Sequence, residues 1–434
     1  MGPSPSGMTV LKRWRNLAGV IVCLALVFLL FGRHLAFVFG VLIFVFALLA
    51  SVMLHEFGHF ITAKKFHMRV TQFFVGFGTT LWSVFRGETE YGVKVLPLGG
   101  FVRITGMTSI EEIDVADEPR SFRRQPGWQR IIVLAAGSFM HFVLALFLFF
   151  VLALGIGLSN ANTNIVSSIT SCVPATNAAL NSNTPCAGKN LPESPAQAAG
   201  IRTNDKIVSI NGKPVRNWNS LHTVLKSEPT GQPLPMVVQR GGKNVALTVT
   251  LAKVHGRSVP FLGVEPAVLY QRKGVLQSFT FAFSQFGDTL TSSASAVAKL
   301  PAAIPDLFAK DRAKTPAGQV SSVVGVGAVT GDVVQASLPW QAKVSLVLFL
   351  VASLNIFVGA FNLLPLLPLD GGHLAIVIYE RARAWFARLR GRPDPGLVDI
   401  QKLVPVSMLV FAALVGLGTL LIAADIFNPV HLQV

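Results

Sequence analysis

Residues 55–59 read His-Glu-Phe-Gly-His. On a helix this spacing sets two imidazoles one turn apart on the same face, with a glutamate beside the first. Two imidazoles in that register can share a zinc ion, and the carboxylate can act as general base on the water that the metal activates. The flanks are unusual for such a motif. Residues 37–53 before it and Phe60-Ile61-Thr62-Ala63 after it are apolar, and the run is long enough to cross a bilayer. Ionisable groups in a membrane helix are costly and mark function by default. The pattern therefore points to hydrolysis carried out inside the membrane.

Two histidines leave a catalytic zinc one protein ligand short. The third has to reach the same depth. Asp370 meets that demand, in the stretch Asn362-Leu363-Leu364-Pro365-Leu366-Leu367-Pro368-Leu369-Asp370-Gly371-Gly372-His373 at the end of a late apolar run. The two prolines break a helix there. Broken helices at membrane depth are tolerated where they line a water-containing cavity. His67 and His373 read as surface or supporting residues, and His34 as interfacial.

The elements that position these residues are mostly membrane spans. Only 13% of the 434 residues are charged and the mean hydropathy is +0.56, well outside the range of soluble domains. The net charge of +16, from 37 Lys+Arg against 21 Asp+Glu, could suggest nucleic-acid binding. No basic recognition helix and no aromatic–basic interleaving accompanies it, so no nucleic-acid partner is expected. Cations on the cytoplasmic side of spans account for it. The fold class expected is a polytopic α-helical membrane protein of about five spans, with a membrane-associated β-hairpin and one external β-rich domain.

Residues 1–34 form a basic cytoplasmic N-terminus and an extra first span at 17–31. Residues 35–65 return inward and carry the histidines. Residues 66–130 are cytoplasmic. Within them 91–104 alternate between apolar and polar around glycines, which suggests a β-hairpin, apolar enough to dip into the membrane beside the site. The charged stretch 110–129 reads as a surface segment containing a helix. Residues 131–158 are a third span and 159–190 an extracytoplasmic loop holding Cys172 and Cys186. Two nearby cysteines there suggest a disulfide outside the cytoplasm, the alternative being two free thiols. Residues 256–339 are extracytoplasmic and contain an amphipathic helix at 275–300, where Phe279, Phe283 and Phe286 recur at helical spacing. Residues 340–379 are the fourth span with its proline break. Residues 380–403 are a loop whose arginines, Arg381 to Arg392, read as topology. Residues 404–434 are the fifth span and an external tail.

Residues 191–255 contain Ser194-Pro195-Ala196-Gln197-Ala198-Ala199-Gly200-Ile201, then an alternating strand closed by Asn211-Gly212, a strong hairpin signal. A short helix at 218–225 and strands at 236–240 and 245–251 follow. The order resembles a bacterial, circularly permuted PDZ domain. It could bind a new C-terminus on a cut substrate or exclude substrates with bulky outer domains.

His-Glu-x-x-His in an early span and Asn-x-x-Pro-x-x-x-x-Asp-Gly in a late one resemble the site-2 protease family of intramembrane zinc metalloproteases. The wording of 73–80 and 91–104, the single PDZ-like unit and the external cysteines resemble its actinobacterial branch, which cuts membrane-bound anti-sigma factors after a first protease has removed their outer domain. The resemblance covers roughly residues 35–430. It implies zinc on His55, His59 and Asp370. It implies that Glu56 deprotonates the water and later protonates the leaving amine, and that Asn362 helps hold the substrate. The strand around Gly99, Gly100 and Phe101 would pair with an unwound substrate by strand addition. The partners implied are single-span, anti-sigma-factor-like membrane proteins within the lipid bilayer.

One stretch departs from the family. Where Gly-Pro-x-x-Asn is usual, this chain has Gly137-Ser138-Phe139-Met140-His141. His141 then supports the site as a polar contact, approaches the metal, or bonds to a neighbouring helix. Two other functions compete: a metal transporter, which would need ionisable groups spread through several spans, and a catalytically weak scaffold.

Overall fold

The computed structural model describes residues 35–429, apart from 108–112, 181–185, 187–189, 310–311, 313–314 and 316–320. The expected first span at 17–31 lies outside the described residues. The chain divides into two compact units, Met1–Leu154 with Gly274–Val434, and Gly155–Lys273.

The first unit opens with helix α1, Leu35–Lys65, whose last turn carries Lys64 and Lys65. Strands β1, Val70–Arg86, and β2, Thr89–Ile104, follow. They meet at a turn through Gly87, whose φ of 63° suits glycine. The hairpin is therefore larger than expected: residues 91–104 are one strand of it, and 73–80 lie in the other. Bulges fold the pair back on itself, so that Phe73 faces both Val102 and Tyr91, and Phe74 both Phe101 and Gly92. Glu88 at the turn is held by Lys64 at 2.7 Å and by a two-pronged contact with Arg120, which fastens the hairpin to the end of α1. No α-helix forms in the described part of 110–126. It makes two three-residue 3-10 turns, Glu118–Arg120 and Phe122–Arg124. Pro119 and Pro126 interrupt any longer hydrogen-bond ladder, and Glu118 is engaged by Arg123 and Arg124.

Helix α2, Gly127–Val151, continues through a wider turn at Leu152–Ile156. It packs closely on α1. A methyl at Gly58 would stand 2.8 Å from the carbonyl carbon of Ala136, so only glycine permits this backbone approach.

The second unit is β-rich. Short strands β3, Leu158–Asn160, and β4, Val166–Ile169, precede the main sheet. That sheet contains β5, Lys206–Ile210, β6, Lys213–Pro214, β7, Pro233–Arg240, and β8, Lys243–Thr250, in the order β6-β5-β7-β8. Asn211 and Gly212 both take positive φ between β5 and β6, as the hairpin signal required. Helix α3, Trp218–Ser227, is capped reciprocally by Asn217 and Ser220. It covers a core that includes Ile207, Leu221, Met236 and Val249. Strands β9, Val264–Pro266, and β10, Leu269–Gln271, return to pair with β4 and β3. Cys172 and Cys186 are joined as a disulfide.

The first unit resumes with α4, Val275–Ala303, the amphipathic helix expected. It runs antiparallel to α2, with Phe279 against Phe150 and Phe286 against Phe142. Helix α5, Val323–Gln335, packs through Gly327 and Gly331 on Phe44 and Phe37 of α1. Helix α6, Trp340–Asn362, stops before Pro365 and Pro368. Helix α7, Asp370–Leu389, follows that break, and α8 is Val404–Phe427. Among the described residues four helices are long and apolar enough to cross a membrane: Leu35–Lys65, Gly127–Ile156, Trp340–Asn362 and Gln401–Phe427. They overlap the residues where the second to fifth spans are expected.

Candidate metal centre

α1 sets His55 and His59 one turn apart, with their Nε2 atoms at 3.1 Å. The proline break after α6 turns the chain so that Asp370 opens α7 directly beside them. Its Oδ2 lies 3.1 Å from Nε2 of His55 and 3.3 Å from Nε2 of His59. Gly371 and Gly372 permit this: a methyl at Gly372 would meet the Leu366 carbonyl carbon at 2.6 Å.

Three lone-pair atoms crowded into one triangle call for a cation. His59 donates from Nδ1 to the Val133 carbonyl at 2.7 Å, which leaves its Nε2 as an acceptor. Among the described residues, Nδ1 of His55 and Oδ2 of Asp370 are buried without a hydrogen-bond partner. A tetrahedral zinc with bonds of about 2.0–2.1 Å needs ligand atoms about 3.3 Å apart, and the observed triangle fits. Gly137 of α2 closes the wall behind it. A methyl there would stand 2.7 Å from Nε2 of His55 and closer still to Nε2 of His59.

A model of peptidase family M50 matches residues 43–392. The chain belongs to peptidase family M50, the site-2 proteases. It is similar to the zinc metalloprotease Rip1 of Mycobacterium tuberculosis H37Rv, 36% identical over 416 residues, which cover 91% of this chain and 99% of Rip1. Rip1 of Mycolicibacterium smegmatis is 35% identical over 419 residues, covering 91% and 98%. Metalloprotease MmpA of Caulobacter vibrioides is 27% identical over 371 residues, covering 77% and 85%. The chain is thus an intramembrane zinc metalloprotease, and its His-His-Asp triangle matches the metal that such enzymes use.

Around the triangle this M50 protease arranges further polar groups. Glu56 accepts a hydrogen bond at Oε2 from the Val102 amide of β2, at 2.9 Å. β2 is seated against α1 here: a methyl at Gly100 would collide with the Met53 side chain. Phe101 stacks on Phe74 at 5.7 Å. Gly99, with φ of 139°, marks a bend that L side chains disfavour. Asn362 is the last residue of α6, half-buried, with no side-chain hydrogen bond among the described residues.

His141 stands outside the ligand triangle, though its ring centroid is 4.9 Å from that of His55. The Asn355 amide donates to the Val351 carbonyl, so its Oδ1 faces inward. Both His141 Nδ1, at 2.8 Å, and the Ser51 hydroxyl donate to that oxygen. A bond to a neighbouring helix, one of the three expectations for His141, is present. It ties α1, α2 and α6 together at the depth of the metal site.

Sequence reasoning missed Ser51, Asn355 and Val102. Ser51 lies four residues before His55, on the same helix face, and Asn355 is a lone amide in an apolar span; both were visible signals. Val102 contributes a backbone amide and had none. Further out, Arg120 holds the Glu88 carboxyl down to about 2 by hydrogen bonding, helped by Lys64.

Proposed function

We propose that this chain hydrolyses a peptide bond within or near the transmembrane segment of single-span membrane proteins of the anti-sigma-factor kind, after an earlier extracytoplasmic cut. The observation that carries the reading is the hydrogen bond between Glu56 and the Val102 amide. It brings the outer edge of a β-strand to the carboxylate beside the zinc ligands. Alternate residues share one edge of a strand, so Gly100 presents its backbone on the same side as Val102. An unwound substrate adding to this edge would bring its scissile bond to the triangle. A helical substrate could not do so, because its amides are already paired within the helix.

His55, His59 and Asp370 hold the zinc in this reading, and the bound ion supplies Lewis acidity to the attacking water and the scissile carbonyl. Glu56 takes the proton of the attacking water and delivers it to the leaving amide nitrogen. Releasing Glu56 from Val102 frees its oxygen for that work, and the incoming strand supplies the new partner for the edge. Asn362, at the open end of α6, contacts the substrate strand. His141, held by Asn355, keeps the wall behind His55 in place. Exposed Leu81, Trp82 and Phe85 on the distal part of β1 support a sheet that dips into the membrane.

In this reading the N-terminus lies in the cytoplasm, and the β-rich unit and the C-terminus lie outside. Support comes from the basic residues at the end of α1 and along α7, and from a disulfide in the β-rich unit. The strand order β6-β5-β7-β8 and the short helix α3 support a PDZ-like unit that binds new C-termini or excludes bulky outer domains.

The test pairs wild type with Glu56→Gln, each co-expressed with a tagged single-span substrate lacking its outer domain. Wild type is expected to cut it and Glu56→Gln to accumulate it intact. Equal cleavage by both forms overturns the assignment of Glu56.

A further inference from the structure

Helix α7 has one face on the bundle and another that no described part of the chain covers. Val377, Glu380 and Ala384 are buried; Val377 joins the core that includes Val133 and Leu134 of α2, and Arg130 of α2 pairs with Glu380 at 2.8 Å. At about 100° per residue, Ile378, Tyr379, Ala382, Trp385, Phe386 and Leu389 fall on the opposite side, in a stripe about 120° wide. The stripe is open: Trp385 is 55% exposed and Leu389 64%. Arginines border it on both sides, Arg381 and Arg388 along one flank and Arg383 and Arg390 along the other. Arg383 donates to the Gly396 carbonyl. Among the described residues Arg381, Arg388 and Arg390 have no carboxylate partner.

The level of this stripe follows from its neighbours. The side chain of Arg381 covers Gly127, the first residue of α2. The next residue, Trp128, packs edge-on against Phe66, just past Lys64 and Lys65 at the end of α1. Spans of a membrane protein begin and end here, with tryptophans and cations together, which is the composition of the headgroup layer. A helix with an apolar stripe between two rows of arginines suits that layer, with the stripe toward acyl chains and the guanidinium groups at phosphates.

We propose that this face of α7 binds anionic phospholipid headgroups of the leaflet from which the helix emerges. Topology alone would be satisfied by cations anywhere in the loop. It does not require them to bracket an exposed aromatic stripe. The consequence reaches the active site, because α7 begins at Asp370. Arg381 is eleven residues on, about 16 Å along one continuous helix. Lipid bound at the arginines steadies the rod whose first residue completes the zinc triangle.

The experiment reads Trp385 in the full-length protein, reconstituted in phosphatidylcholine vesicles. A minor fraction of the lipid is replaced by either brominated phosphatidylglycerol or brominated phosphatidylcholine. The Trp385 signal is the difference between wild type and Trp385→Phe. Brominated phosphatidylglycerol is expected to quench it more strongly than the same fraction of brominated phosphatidylcholine. The preference should fall by roughly fivefold for each arginine removed, vanish in R381Q/R388Q/R390Q, persist in R381K/R388K/R390K, and fade in wild type at high salt. Equal quenching by the two lipids in wild type overturns the proposal. So does quenching by neither, which would mean that protein covers the face, and so does a preference that survives high salt.

Discussion

Gly137→Ala is the sharpest probe of the metal triangle, because the atoms nearest the added methyl all belong to the two histidines. It would stand 2.6 Å from Cε1 and 2.7 Å from Nε2 of His55, and closer to Nε2 of His59. Carbon and nitrogen atoms in good contact lie about 3.5 Å apart, so something has to yield by close to an ångström. α2 cannot easily withdraw. Its backbone is seated on Gly58 of α1, and Arg130 anchors it to Glu380 of α7. The imidazoles must therefore turn, yet a zinc site holds its distances within about 0.2 Å. Overpacking of this kind costs about 1–3 kcal/mol. If that cost falls on the loaded site, zinc affinity drops by about 5- to 150-fold. Competition between the purified protein and a graded series of chelators measures it directly. Thermal unfolding of the metal-stripped protein shows whether the fold itself has suffered. A Gly137→Ala protein that holds zinc as tightly as wild type would refute the assignment of the triangle as the metal site.

Asn355→Ala leaves His141 Nδ1 and the Ser51 hydroxyl buried without their shared acceptor, and should destabilise the protein by about 1–3 kcal/mol; an unchanged melting curve in detergent would count against the network. Glu88 is lowered from its ordinary 4.5 to about 2, so its stabilisation is complete above pH 4.5 and is lost as pH falls through about 2. Being partly exposed, it is worth about 1 kcal/mol after screening; Glu88→Gln should unfold earlier than wild type at neutral pH yet converge with it in strong acid, and a constant gap across that range would contradict the ion pair. Cys172→Ser opens a link spanning 14 residues and should destabilise the β-rich unit by about 2–4 kcal/mol; non-reducing mass mapping of the native protein should recover Cys172 and Cys186 in one linked peptide pair.

What was legible in the sequence is what depends on short-range periodicity. Two histidines four apart fall on one helix face whatever surrounds them, and a run of apolar residues longer than a bilayer is thick has few alternatives to spanning it. The proline break before Asp370 was legible for the same reason, since a proline removes a backbone donor in any context. The Asn-Gly turn in the β-rich unit likewise follows from local backbone geometry. The stretch 110–129 misled because composition suggested a helix where, up to Pro126, the two prolines and the pairing of Glu118 with two arginines permit only short turns.

Only the tertiary structure decided the rest. That Asp370 comes within 3.3 Å of both histidines depends on how α7 packs on α2, some three hundred residues from the motif it completes. That His141 bonds to Asn355 depends on which helix faces α2 at that level. The contact of Val102 with Glu56 involves a backbone amide, which every residue but proline possesses and which therefore carries no sequence signal. The arginines of α7 make the same point: their sign was visible along the chain, but their placement around an uncovered aromatic stripe emerged only once the buried side of the helix was known.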